Sequence, residues 1–234
     1  MKSKPLFHSI LFGLACVAAH FLAGCASTSQ NDVVASRYRA DDGRTIEIGK
    51  ATPSHGGLTF KEPHMEQCWI AEGFNFLGYD TLYIAPTLST AKFHDDEQRP
   101  HELAKEAFPG ELSRSLNRKG LFANIALRES DIKPGAKLLK LENTITEYSK
   151  GGGAARYFVG LYGGGQPVLR VEGRMTDGDK TVFTFQARRS GVSAGARMTG
   201  AFMKDEDIQI QDIQSMTLDL TDFMAAIAGK YQAK

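Results

Sequence analysis

The chain lacks most features that announce a biochemical activity. Its 28 basic residues are offset by 27 acidic ones, a formal charge of +1 over 234 residues. No excess of one sign marks nucleic acid as a main partner, although Arg114, Arg118 and Lys119 form a local basic cluster. No GxSxG elbow presents a nucleophilic serine. The phosphate-loop spacing GxxxxGK[ST] fails, because Gly160 to Gly165 is followed by Gln166 and Pro167 where Lys and Ser/Thr are required. The dinucleotide pattern GxGxxG fails too: counted from Gly163, the sixth residue is Val168. These absences argue against a nucleotide, a cofactor and catalysis. Cysteine is also scarce, with three residues, and tryptophan occurs once.

What is present begins at the amino terminus. Lys2 and Lys4 precede an apolar run from Leu6 to Leu22, and small residues follow at Ala23 and Gly24. A positive start, an apolar stretch and a small-residue site describe a secretory signal peptide. The run is short for a stable transmembrane helix. Leu22-Ala23-Gly24-Cys25 resembles the lipobox of bacterial lipoproteins. That resemblance implies cleavage between Gly24 and Cys25, diacylglycerol on Cys25 and acylation of the new amino terminus. At about 0.8 kcal/mol per buried methylene, three acyl chains hold a protein to a membrane essentially permanently. Ala26 stands where an aspartate would signal inner-membrane retention, which favours the outer membrane, facing the periplasm. The polar stretch "ASTSQND" from Ala26 reads as a tether.

With Cys16 removed and Cys25 lipidated, Cys68 has no intramolecular disulfide partner. It lies in the apolar run "QCWIA" and is expected as a buried, inert thiol. The predicted organisation is a signal peptide over residues 1–24, a lipidated cysteine and tether over 25–40, and one domain over 41–234.

A composition of 42% hydrophobic and 24% charged residues supports an ordinary globular core. "RTIEI" alternates like a short strand, whereas "ATPSHGG" reads as a loop from its Pro and Gly. "TLYIAP" suits a buried strand stopped by Pro86. Leu103, Ala107, Leu112 and Leu116 predict a helix ending at Gly120, which Pro109 either kinks or splits. "LFANIAL" resumes strand character. "AKLLKLENTITEYS" predicts a long strand with Leu139, Leu141, Asn143, Ile145 and Glu147 on one face. "PVLRVEGRMTD" and "KTVFTFQARR" form a hairpin across Asp177-Gly178-Asp179, with Val168, Arg170, Glu172 and Arg174 opposite Leu169, Val171, Gly173 and Met175. Ile213, Met216, Leu220, Phe223 and Ile227 mark an amphipathic carboxy-terminal helix. The predicted fold class is α/β (α+β): a single mixed β-sheet with one parallel βαβ unit, antiparallel hairpins and that helix.

Two glycine triplets, Gly151-Gly152-Gly153 and Gly163-Gly164-Gly165, flank a short apolar and aromatic run. Neither opens a helix, and the run is far below the roughly 20 residues of a membrane span. All six are expected to supply turn conformations that residues with a Cβ resist.

"GELSRSLNRKGLFANIAL" and "LLKLENTITEYSKGGGAARYFVGLYGGGQPVLRVEGRMTD" resemble the bacterial lipoprotein family called domain of unknown function 4410. The resemblance covers roughly residues 81–189. It rests on the helix-ending turn Leu116 to Phe122, the segment Gly153 to Tyr157, and Val159 to Gly165. The family has no established catalytic residues, so the resemblance transfers none.

His55, His64, His94 and His101 cluster in the first half. His64 and Cys68 have a helical ligand spacing, and Asp95 and Asp96 adjoin His94, but a strand at "QCWIA" puts His64 and Cys68 about 13 Å apart. No metal is therefore expected. The functional expectation is a non-catalytic module, anchored to a membrane through Cys25, that binds an envelope protein. The alternative is an assembly or secretion subunit distantly similar to curli-type secretion lipoproteins. Its hairpin would need about 9–11 residues per strand, with Arg170, Glu172 and Arg174 lining a polar lumen.

Overall fold

The computed structural model describes residues 36–40, 42–61, 65–152, 165–190, 205–230 and 232–233. Gly24, Cys25, His64, Gly153, Gly163 and Gly164 lie outside them. Val34–Lys234 is one compact unit.

β1 (Ser36–Arg39) falls within the span assigned to the tether, and it pairs antiparallel with β2 (Thr45–Ile48). β12 (Gln232–Ala233) joins the other side of β1, giving a small three-stranded sheet that ties the two ends of the unit together.

The "ATPSHGG" segment is not a loop but a hairpin, β3 (Ala51–Ser54) and β4 (Gly57–Phe60). His55 and Gly56 turn the chain with φ of 48° and 72°, the paired positive values of a type I′ turn. Pro53 is tolerated because β3 is a sheet edge, where a missing N–H breaks no ladder. β5 (Gln67–Ala71) follows, with Cys68 fully buried beside Met65.

The main sheet is mixed. β6 (Thr81–Ile84) lies parallel to both β8 (Asn124–Ala126) and β9 (Leu138–Ser149). The chain passes from β6 to β8 through helix α1 (Gln98–Lys119), completing the parallel βαβ unit. β9, β10 (Val168–Asp177) and β11 (Lys180–Arg189) are successive antiparallel strands, and β11 continues the sheet onto β5. The short β7 (Leu88–Ser89) pairs with β9 beyond the end of β6. Asn143 spans the gap between β6 and β7: its amide donates to the Ala85 carbonyl at 3.3 Å, and its oxygen accepts from Thr87 Oγ1 at 2.6 Å.

Two expected faces shift phase. Leu139, Leu141, Asn143 and Ile145 are buried, but Tyr148 rather than Glu147 comes next inside. Glu147 pairs with Arg170 and Ile145 with Val171, so Thr146 is an extra residue that flips the alternation. In α1 the inward face is His101, Ala104, Phe108, Leu112, Ser115 and Leu116, whereas Leu103 is 39% exposed. Leu103 precedes Leu112 by nine residues, about two and a half turns, which sets the two on opposite sides. Pro109 neither splits nor ends the helix, which runs on to a left-handed cap at Gly120 with φ 58°.

The carboxy-terminal helix, α2 (Asp205–Ile227), lies beside α1. Ile213, Met216, Leu220 and Phe223 are buried. Phe223 packs edge-on against Phe60 at 5.2 Å and stacks on Phe183 at 6.1 Å, seating α2 on the sheet. Among the described residues, no helix is long and apolar enough to cross a membrane.

Candidate functional site

The polar chemistry of the chain gathers where β9 ends, β10 begins and α1 starts. Gly151 and Gly165 have φ of 73° and 71°. The Gly152 N–H donates to the Gly165 carbonyl at 2.9 Å, so the outer ends of the two glycine triplets meet. A Cβ on Gly151 would stand 2.4 Å from the Gly165 oxygen and 2.6 Å from the Pro167 nitrogen. Glu97 fixes the approach to this crossing. Its carboxylate accepts from the backbone N–H of His94 at 2.9 Å and of Lys150 at 2.8 Å, and from Ser149 Oγ at 3.3 Å. Burial opposes ionisation, but the His94 and Lys150 donors outweigh it and hold the Glu97 carboxyl below its ordinary range. Lys150 also pairs with Asp96.

Next to this crossing, His101 of α1 is only 2% exposed. Its Nε2 shares a hydrogen bond of 2.8 Å with Ser89 Oγ of β7, the donor being set by the tautomer. Its Nδ1 lies 3.6 Å from Glu102 Oε1 and has no hydrogen bond. Phe93 stacks on the ring at 4.2 Å, and Tyr148 meets it edge-on at 5.0 Å. Tyr148 in turn donates to Gln209 Oε1 of α2 at 2.8 Å. Burial pushes the His101 imidazole below its ordinary pKa, and Lys105 adds to this against the opposing pull of Glu102.

Serine, histidine and a carboxylate thus stand in a row, but the row does not match a catalytic triad. The third contact is too long for a hydrogen bond, the imidazole is sealed beneath Phe93, and Ser89 already lies 3.3 Å from the Ile145 carbonyl. What the row does is join β7 to α1. Sequence reading missed it, because Ser89 and His101 come together only through the strand–helix crossover. The other histidines do not join them: His55 sits in the exposed β3–β4 turn, and His94 precedes a 3₁₀ turn. Among the described residues, no three His, Cys, Asp or Glu side chains are grouped to hold a metal ion.

The sheet face opposite the helices carries the charges expected on β10. Arg170 pairs with Glu66 at 2.7 Å, Arg174 with Glu142 at 2.7 Å, and Lys140 with Glu142 at 2.8 Å. Arg188 grips both oxygens of Glu147, at 3.0 and 3.1 Å, which lowers that carboxyl's pKa. Of the basic cluster read on α1, Arg114 pairs with Glu111 at 2.6 Å and Lys119 with the buried Asp222 at 2.6 Å, while Arg118 donates to Ser115 Oγ at 3.1 Å.

The profile of a family described as "Domain of unknown function (DUF4410)" matches residues 81–201, just over half of the chain. No curated protein matches. Among solved structures, the PelC dodecamer from Paraburkholderia phytofirmans is 13% identical, over 65% of this chain and 96% of that one, with a TM-score of 0.42. A Xanthomonas campestris protein of family DUF330 is 12% identical over 65% and 86% of the two chains, at 0.35. A Helicobacter pylori homologue of neuraminyllactose-binding hemagglutinin is 8% identical over 65% and 86%, at 0.36. Overlaps this loose say nothing about a shared ligand or assembly.

Proposed function

The chain belongs to the DUF4410 family, and on that premise we propose that it is a non-catalytic envelope lipoprotein, anchored through Cys25, that binds a protein partner on the open face of its sheet. One observation carries this reading. The helices cover one side of the sheet and leave the other as a broad, charge-balanced surface of Arg170, Arg174, Arg188, Glu66, Glu142 and Glu147, half-buried to exposed. Side chains of catalytic type are used instead to join elements, as His101 joins Ser89. A surface whose side chains are already paired with one another suits a partner of complementary charge pattern, since order already present need not be lost on binding. From Cys25 to Ser36 an extended chain reaches at most about 40 Å, so such a partner would be met close to the membrane.

The assembly alternative needs β10 and β11 to present an apolar side to lipid. That side is occupied: Leu169, Val171, Met175, Phe183, Phe185 and Ala187 are buried core residues. The test has two arms. Cys25→Ser is expected to abolish lipid labelling and membrane partition; a variant that partitions like the wild type rejects the anchor. A photo-crosslinking residue at the exposed Gln186 should capture a discrete envelope protein, and Arg188→Glu should abolish that capture. Capture unchanged by Arg188→Glu, or a ring-sized oligomer in detergent, rejects the binding reading.

A further inference from the structure

The chain has a single tryptophan, and the open face of the sheet holds it in a fixed pose. Trp69 of β5 alternates with the buried Cys68 and Ile70, so it lies on the side that the helices leave uncovered. Its Nε1 donates to the Ser54 carbonyl at 2.9 Å. Its ring packs against Gly57, where a Cβ would stand 2.8 Å from Cε2 and 2.9 Å from Cζ2. The indole therefore lies across β4 instead of standing off the sheet, and any side chain at Gly57 would lift it. The residue stays half-buried, and no described ring or cation is stacked on it.

Strand register sets polar groups beside this ring. Thr52 of β3, Thr59 of β4, Trp69 and Thr184 of β11 are successive partners across four adjacent strands. At the spacing of neighbouring strands this row is about 14 Å long. Two residues along, Gln67 pairs with Gln186, and both are exposed. The three hydroxyls and two amides make no side-chain hydrogen bond to another described residue. None of these six side chains is charged, whereas polar groups elsewhere on the face are taken up in ion pairs such as Arg174 with Glu142. An ionic ligand finds no counter-charge in the row. A sugar ring has the matching chemistry. Its C–H face is attracted to the negative face of the indole, and its rim of hydroxyls both donates to and accepts from threonine and glutamine.

We propose that the row Thr52, Thr59, Trp69 and Thr184 binds an uncharged chain of β-1,4-linked hexopyranoses laid across the strands. One ring stacks on Trp69, and the hydroxyls of that ring and its neighbours bond to the threonines and to Gln67 and Gln186. Equatorial linkages keep such a chain flat and extended, as a straight row on a sheet requires. The inference goes beyond the protein-binding reading and does not rest on it. Arg188, on which the capture of a protein depends, lies four residues past Thr184 along β11, about 13 Å away.

Because Trp69 is the chain's one tryptophan, its emission reports on this site directly. The test titrates the full chain, in phospholipid vesicles, with cellohexaose and with chitohexaose. A saturable change in emission is expected with at least one of them, and cellobiose, too short to follow the row, should bind more weakly. Thr59→Val and Thr184→Val keep a β-branched residue on each strand and remove one hydroxyl. Each should weaken binding about fivefold, the equivalent of one hydrogen bond. Unchanged thermal unfolding of both variants separates lost binding from lost structure. Arg188→Glu should leave sugar binding as it is, whatever it does to the capture of a protein. No emission change with either hexasaccharide, cellobiose binding as tightly as cellohexaose, or affinity indifferent to both threonine substitutions would overturn the proposal. So would tighter binding of a β-1,4-linked hexaglucuronate, or loss of sugar binding in Arg188→Glu, either of which would place the ligand among the ion pairs.

Discussion

Gly151 is glycine for two separable reasons. Its φ of 73° lies in the left-handed region, and a Cβ there would sit 2.4 Å from the Gly165 carbonyl oxygen. The first reason alone is a modest strain; the second is a collision with backbone that cannot swing aside. Gly173 is crowded as well, since the ring of the buried Phe185 across the hairpin stands 2.0 Å from where its Cβ would be. Gly151→Ala is therefore expected to cost more than about 1 kcal/mol in chemical denaturation. Gly78→Ala serves as the comparison: its nearest neighbour is Lys137 Nζ at 3.9 Å, so a change within about 0.5 kcal/mol is expected. Equal stability of wild type and Gly151→Ala would mean that the crossing of the two glycine segments is not held. The sequence marked all six glycines as turn formers alike. What distinguishes Gly151 is a partner fourteen residues onward, which no local pattern reveals.

Among the elements, those whose periodicity is set by burial on one side were legible. β10 alternates without interruption over its central residues, and α2 keeps its apolar stripe from Ile213 to Phe223. Legibility failed where one residue changes the phase. The extra Thr146 flips the end of β9, and Leu103 reads as core only if the count is allowed to slip across Pro109. It failed also where turn chemistry stood in for loop composition: His55-Gly56 looks like a breaker and acts as a two-residue hairpin turn. The contacts that lock elements together were the least visible. Asp222 of α2 is 1% exposed and receives Lys119 from the end of α1 at 2.6 Å and Arg44 beside β2 at 2.8 Å. Lys119 had read only as one member of a surface basic cluster. Removing one partner from a buried ion pair strands the other charge, so Asp222→Ala should cost about 3–5 kcal/mol. Arg44 is 39% exposed, and Arg44→Ala should cost about 1 kcal/mol or less. Similar losses from the two substitutions, measured by urea unfolding, would show that the triad is not organised around the Lys119–Asp222 contact.

At the scale of the whole molecule, the two faces of the sheet respond differently to acid. The open face holds ion pairs in contact with water, where screening limits their worth. The helix side holds His101 and Glu97, both buried and both with a lowered pKa, and these should set the stability profile. Burial keeps His101 neutral below its ordinary value of 6.5, so the unfolded chain binds that proton first. Stability is then full above 6.5 and falls as pH drops from there towards the folded value, where the loss is complete. Glu97 is held ionised below its ordinary 4.5; its contribution is full above 4.5 and is lost as pH falls from there through the folded value. Two descents are expected, the histidine's first and the carboxylate's second. His101→Gln, which cannot titrate, should erase the first and keep the second, and Glu97→Gln should weaken the second only. The measurement is urea unfolding across this range. A wild-type stability that is flat between about pH 7 and 5 would mean that His101 takes its proton without leaving the Ser89–Tyr148 seam, and that α1 is not held to β7 by a neutral imidazole.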